Sequence, residues 1–480
     1  MLKKLGRDAV IYGGADFLFK AISFAILPVY VRFFSVADFG VMSMLSVTVG
    51  LIGMLANMGV TQSIQRFYWD QETRHEERSV LVSTGLVQLV SLGVIALLII
   101  LVPAYLEQQQ MLARYGIDWQ LALLALFTII PDQIVQYVLD TIRLHFSPIK
   151  FFLISFSKNL LGVLIGLWLI IVSQKGLYGY FEGMLLASTA TVPLALWFIR
   201  KELVLQVDLP MLRKIFAYGH PFVFAGMAYW IFGSMDRWML AELGNTREVG
   251  LYSVAFKVST LIGFVTAAFS QAWSPYVVKM MSEDKEYRKS FSRVFSLWYF
   301  ILAMIGLLIS LFAREILMLL TPRVYWDASG VLSAVTMGLV LQGTTQITAI
   351  GISLESRTRL LTHIAWLTAC VNFGLNYILI PRFGAEGSAW ATLVSYAMLT
   401  SIFLFWTQRL HPIPLERKKL LYSTFLVAAG LLSPLSNSWN WYYSPIAKFA
   451  LLILLVKGAH TMGIINVNAL RQLLGKKKNA

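Results

Sequence analysis

Five lysines, Lys20, Lys158, Lys257, Lys448 and Lys457, lie inside stretches of about twenty apolar residues, the length of helix that crosses a bilayer. A charge at that depth costs ~2.5 kcal/mol or more, so each lysine needs a protein-lined cavity, a partner or a route to the interface. The lysine ammonium is a compact point charge, suited to pairing with a moving oxyanion rather than to bidentate recognition. At about 1.5 Å per helical residue, Lys20 lies about 16 Å into the first stretch, Lys158 about 12 Å from the inner end of the fifth and Lys257 about 10 Å from the outer end of the eighth. Basic groups at staged depths can hand an anion along. The bland alternative is snorkelling or internal pairing, since Asp16 sits four residues before Lys20 on the same helical face. Lys448 and Lys457 fall on the last apolar stretch and read as snorkelling.

The acidic groups in or near these stretches are Asp16, Asp132, Asp140, Glu182 and Asp236. Asp140 and Arg143, three residues apart, read as a local pair. Asp236 and its neighbour Arg237 read equally well as a gate contact or as a structural lock. Asp16 and Glu182 are the candidates for proton or sodium coupling, because a carboxyl in a low-dielectric site can exchange protons. Catalytic patterns are absent from the sequence: there is no H-E-x-x-H, no C-x-x-C, no phosphate-binding G-x-x-x-x-G-K, and no nucleophile–His–acid set among the six histidines. The expectation is therefore a protein that is not an enzyme, without cofactor or metal, driven by an H+ or Na+ gradient, by the membrane potential or by the substrate gradient.

The elements that must position these groups are membrane spans. With 58% hydrophobic and 14% charged residues the composition lies outside the soluble range. Fourteen spans are predicted, at about 9–31, 39–60, 79–103, 121–142, 150–173, 179–199, 216–240, 250–278, 292–313, 331–353, 359–381, 386–408, 418–435 and 444–464. The Lys-Lys-Leu-Gly-Arg start runs into the first span without a small-residue cleavage pattern, so no cleavable signal is expected. The single Cys370 excludes an internal disulfide. A net charge of +15 first suggests nucleic acid, but with the N-terminus inside 27 of the 40 basic residues fall in cytoplasmic loops and tails, 8 outside and 5 in spans. That asymmetry is the positive-inside bias, so no nucleic-acid partner is expected and both termini are placed in the cytoplasm.

The chain also repeats itself. At a shift of 210, Gly40 matches Gly250, Ser43 matches Ser253 and Leu51-Ile52-Gly53 match Leu261-Ile262-Gly263. At a shift of 208, Gly166, Gly176 and Gly179 match Gly374, Gly384 and Gly387. Six spans per half is an even number, which predicts a parallel repeat about an axis along the membrane normal. The predicted domains are 1–204, a first six-helix bundle; 205–410, a second; and 411–480, two additional spans and a basic cytoplasmic tail.

Three stretches resemble the polysaccharide flippases (Wzx-like) of the multidrug/oligosaccharidyl-lipid/polysaccharide (MOP) exporter superfamily. They are Asp236-Arg237 with Gly250-Leu-Tyr252-Ser253-Val-Ala255-Phe-Lys257; Asn372 to Thr392 with Asn376, Pro381, Gly384 and Gly387; and Lys20, Pro28, Arg32 and Asp38-Phe-Gly40. The resemblance covers the first twelve spans. It implies an all-α membrane protein whose two bundles form a V, as in the drug and toxin extruders (MATE) of the superfamily. It further implies translocation of lipid-linked, polyprenyl diphosphate-borne oligosaccharide to the outer leaflet of a bacterial inner membrane, for O-antigen, capsule or exopolysaccharide assembly. Substrate binding is expected at Lys20, Lys158, Lys257 and Arg237, with Asp16, Glu182 and Asp236 as coupling or gate residues. The expected partners are the lipid-linked anionic oligosaccharide, membrane lipids, and polysaccharide polymerase and chain-length machinery. The alternatives are an ion-coupled drug extruder, whose cationic cargo a basic cavity would repel, and a lipid II flippase. A membrane scaffold or a glycan polymerase or ligase is a third; such enzymes commonly carry a large outer loop, and none is present.

Overall fold

The computed structural model describes residues 14, 17–71, 74–108, 110–202, 208–284, 286–355, 357–434 and 444–463, and among them all regular structure is helical. A helical stretch at 17–25 leads into α1 (Leu27–Phe33), α2 (Val36–Asn57), α3 (Val60–Phe67) and α4 (Arg74–Gln108). Then follow α5 (Trp119–Phe127), α6 (Ile129–Leu144), α7 (Pro148–Ile171), α8 (Gly176–Ile199) and α9 (Leu209–Leu243). The second half holds α10 (Thr246–Ser259), α11 (Leu261–Glu283), α12 (Tyr287–Leu311), α13 (Ala313–Leu320), α14 (Ser329–Gly343), α15 (Thr345–Thr348) and α16 (Ile350–Leu354). It closes with α17 (Thr358–Leu410), α18 (Arg417–Leu432) and α19 (Ser444–Thr461).

Nine helical stretches among the described residues are long and apolar enough to cross a membrane, and the bent pair Thr246–Ser259 and Leu261–Gln271 makes a tenth. One of the nine, Arg359–Leu410, is 52 residues long, twice what a bilayer needs. It is two spans joined at Gly384, whose φ of 53° and ψ of −131° are not helical. The predicted first, thirteenth and fourteenth spans are helical over shorter described stretches.

Local chemistry sets the boundaries. Ser35 Oγ accepts from Asp38 N at 3.1 Å while Asp38 Oδ2 accepts from Ser35 N at 3.2 Å, a capping box that starts α2. Asp208 accepts from Met211 N at 3.0 Å ahead of Pro210 in the first turn of α9. Gly176 opens α8 at φ 54°, and its repeat counterpart Gly384 has φ 53°; the left-handed region favours glycine at both turns.

Contacts group the chain into two compact units, Met1–Ser253 and Val254–Ala480. The repeat divides the chain near 204, whereas the packing places α9 with the first unit, because α9 lies along α2, α3 and α4. The turn after α9 brings the repeat-matched positions of α2 and α10 together. A Cβ on Gly40 would sit 2.1 Å from Thr246 O, and one on Gly250 would sit 2.0 Å from Val36 O. Since 36 and 246 are themselves related by the shift of 210, the contact is reciprocal, and Ser253 Oγ donates to Ser43 Oγ at 2.8 Å between the two. Trp230 and Trp238, on α9, donate to Val47 O and Thr48 Oγ1 of α2, each at 2.9 Å.

In the second unit α12 packs on α14 and α18, and α14 on α17. Lys448 does not snorkel: its side chain is 1% exposed and its Nζ lies 2.6 Å from Glu315 Oε1, over the Phe312 ring. Glu315 supplies the counter-charge that makes burial of the ammonium tolerable.

Candidate functional site

The first unit encloses a cavity of about 420 Å³ between the stretch 17–33 and helices α6, α7 and α8. Each helix offers one stripe at helical spacing. On α6 it is Asp132, Gln136, Leu139 and Arg143; on α7 it is Ser155, Lys158, Asn159 and Gly162; on α8 it is Tyr180, Met184, Ala187 and Ser188. Phe19, Ser23 and Tyr30 close the fourth side, with the Tyr30 ring edge-on to Tyr180. In spans whose other faces meet lipid or apolar neighbours, these are the polar positions that protein can solvate.

The cavity is paired rather than simply cationic. Lys158 Nζ lies 2.5 Å from Asp132 Oδ1, with side-chain exposures of 18% and 43%. Arg143 Nη1 lies 3.4 Å from Asp140 Oδ1, with exposures of 46% and 1%. Asp140, behind the cavity wall, also accepts from Thr61 Oγ1 at 2.6 Å and from Gln136 Nε2 at 3.0 Å. The Arg143 guanidinium rests 4.6 Å above the Phe151 ring, and both residues line the cavity.

Of the residues singled out in the sequence, Lys158 lines this cavity. Lys20 is half-buried on the stretch 17–25, between the lining residues Phe19 and Ser23, and is not itself part of the lining. Asp16 lies outside the described residues. Glu182 pairs with Lys175 at 2.6 Å across the turn that opens α8. Lys257 belongs to the second unit, half-buried on α10. Asp236 and Arg237 form a buried pair at 2.7 Å. Asp236 also accepts from the Tyr252 hydroxyl, Arg237 donates to Gly233 O at 2.6 Å, and the guanidinium stands 5.2 Å over the Tyr252 ring. This cluster ties α9 to α10 beside the glycine contact.

Asp132, Gln136, Asn159 and Arg143 were not selected as site residues from the sequence. The polar positions at intervals of three, four and seven in otherwise apolar spans were the available signal. At the same end as the glycine contact, Glu242 of α9 accepts from the Tyr115 hydroxyl and pairs with Arg114 at 3.1 Å. Burial, then the bond to Glu242, pushes the Tyr115 hydroxyl up to about 12.

A profile of the family described as "Polysaccharide biosynthesis protein" matches residues 29–330. No curated protein matches in sequence. Among solved structures, the lipid II flippase MurJ in an inward closed conformation is similar, with a TM-score of 0.68 at 15% identity over 93% of this chain and 97% of that one. An inward-facing multidrug resistance MATE family transporter of the MOP superfamily gives a TM-score of 0.66 at 14% identity over 84% and 94%. An outward-facing structure of such a transporter gives 0.57 at 13% identity over 84% and 95%. At these identities the likeness is one of fold.

Proposed function

The chain belongs to the polysaccharide biosynthesis protein family, with the fold of MOP-superfamily transporters, and from that premise we propose that it flips lipid-linked oligosaccharides. The cargo is carried on polyprenyl diphosphate, and its head group moves from the cytoplasmic to the outer leaflet of a bacterial inner membrane. The lipid tail stays in the bilayer while the two six-helix bundles rock between inward- and outward-open states. Both termini lie in the cytoplasm, which puts the Gly40–Gly250 contact at the outer side. The protein works as a carrier and not as an enzyme, within a surface polysaccharide pathway that includes a polymerase and chain-length machinery.

The observation that carries the reading is the polar cavity with Arg143 and Lys158 on facing helices. Two cations in the lining of one cavity can meet the charges of an anionic head group such as a diphosphate, and a cationic drug would meet them as like charges. The proposal is tested by removing the protein and asking on which leaflet lipid-linked glycan accumulates. Accumulation on the cytoplasmic leaflet supports it. Normal leaflet distribution, or accumulation of lipid II in place of the oligosaccharide, refutes it.

A further inference from the structure

Each cation lining the cavity is already held by a carboxylate, and the two pairs differ in how easily they part. Arg143 reaches Asp140 Oδ1 only at 3.4 Å with 46% of its side chain exposed, longer than the ~2.7–2.9 Å of a tight charge-assisted bond. Asp140, 1% exposed, cannot follow it into the cavity. Lys158 is held more tightly, at 2.5 Å, but Asp132 is 43% exposed. An occupant can therefore draw both cations away, leaving one carboxylate enclosed and the other hydrated.

We propose that an anionic head group takes Arg143 and Lys158 from Asp140 and Asp132, and that the deserted Asp140 then binds a proton, so that anion binding and proton uptake are one event. The inference rests on the reading of this cavity as the head-group site. Its charge balance is explicit. The empty site holds two positive and two negative groups, and a diphosphate diester adds two negative charges. The cations neutralise the diester, which leaves two uncompensated carboxylates. Water hydrates the 43%-exposed Asp132, whereas a charge without a cation partner at the 1%-exposed Asp140 is strongly disfavoured. A proton from solvent removes that charge and forms one O–H bond at Oδ1, the oxygen that Arg143 vacates. Gln136 receives it by turning its amide oxygen inward, while Thr61 keeps its bond to Oδ2.

The charged and titratable groups on the neighbouring elements are engaged elsewhere. On α3 Arg66 pairs with Asp70 at 2.7 Å, on α4 Arg78 pairs with Glu202 at 3.3 Å, and Glu77 accepts from Tyr68 at 3.3 Å. His145 meets Tyr68 at 3.2 Å, Tyr137 donates to Leu81 O at 2.5 Å, and Lys150 lies over Phe198. On α8 Glu182 pairs with Lys175 and Tyr180 packs against Tyr30. Lys20, on the helix that walls the same cavity, is a further cation near the site.

The test uses the full chain in lipid nanodiscs and a short-chain prenyl diphosphate N-acetylglucosamine, a diester with no proton of its own titrating near neutral pH. Calorimetry in buffers of differing ionisation enthalpy counts the protons exchanged on binding. The expected result is uptake of about one proton per ligand, with affinity falling about tenfold for each pH unit raised. In Asp140→Asn both the uptake and the pH dependence disappear while binding persists; Asp132→Asn leaves most of the uptake in place. Binding by the wild-type protein without uptake and with flat pH dependence overturns the inference and leaves the anion site standing. Absence of binding removes the site itself and the inference with it.

Discussion

Gly40→Ala tests whether the reciprocal contact at the start of α2 and α10 is the outer closure of the transport cycle. The added methyl would lie 2.1 Å from Thr246 O and 3.0 Å from Gly250 N, against an ordinary contact near 3.5 Å. The helices must therefore part by more than about 1 Å. Overpacking of that kind costs ~1–3 kcal/mol, which lowers the closed population relative to open ones by about 5- to 150-fold. Gly250→Ala should match it, because its methyl meets Val36 O at 2.0 Å in the mirror arrangement. The readout is cross-linking of Ser43→Cys with Ser253→Cys in a Cys370→Ser background, since the two serine oxygens are 2.8 Å apart and sulfurs there fall within disulfide reach. The pair should cross-link readily, export should stop and then recover on reduction, and Gly40→Ala should slow the cross-linking by the factor above. Unchanged cross-linking in Gly40→Ala, or full export by the cross-linked protein, would refute the closure.

Arg143→Gln and Lys158→Ala are expected to cut glycan export while membrane levels stay normal, as scored by a leaflet-specific assay of the lipid-linked intermediate; undiminished export from both would remove the cavity from the pathway. Glu315→Gln, which leaves the 1%-exposed Lys448 without its counter-charge, should destabilise the purified protein by up to ~3 kcal/mol. Lys448→Met with Glu315→Gln should recover much of that loss in thermal unfolding, because no buried charge remains. His411, on the joint after α17, has its pKa lowered by burial and then by Arg288, against a weaker pull from Glu355. The unfolded chain therefore takes up a proton near pH 6.5 before the folded one does, so stability falls as pH drops below about 6.5. His411→Gln should flatten that fall in a melting series from pH 7.5 to 5.5.

The second to twelfth spans were legible because bilayer thickness imposes a length on apolar runs. Even the long helix α17 was read as two spans, since Gly384 interrupts the pattern where the backbone turns left-handed. The sequence matches at a shift of 210 include Gly40 with Gly250, but not the close approach of Gly40 to Thr246 and of Gly250 to Val36. The charge partners were hidden. Sequence spacing exposes pairs three or four residues apart, and so it found Asp140 with Arg143. Lys158 meets Asp132 from a different helix, and Lys448 meets Glu315 across 133 residues of chain. For that reason a basic cavity was anticipated where a paired one exists.

Pairing changes what the cavity can do with its cargo. Two bare cations in a low-dielectric site would bind a diphosphate so strongly that release would become the slow step, since transport needs binding weak enough to reverse on the far side. With Asp132 and Asp140 in place, the head group in the proposed mechanism would exchange one set of ion pairs for another. The net free energy is then the small difference between two large terms. The same carboxylates would reclaim Arg143 and Lys158 when such a cargo leaves, restoring the pairs seen in the structure. On this reasoning Asp132→Asn combined with Asp140→Asn should tighten binding of the diester and slow its export, a dissociation between affinity and turnover that loss of a purely structural pair would not produce.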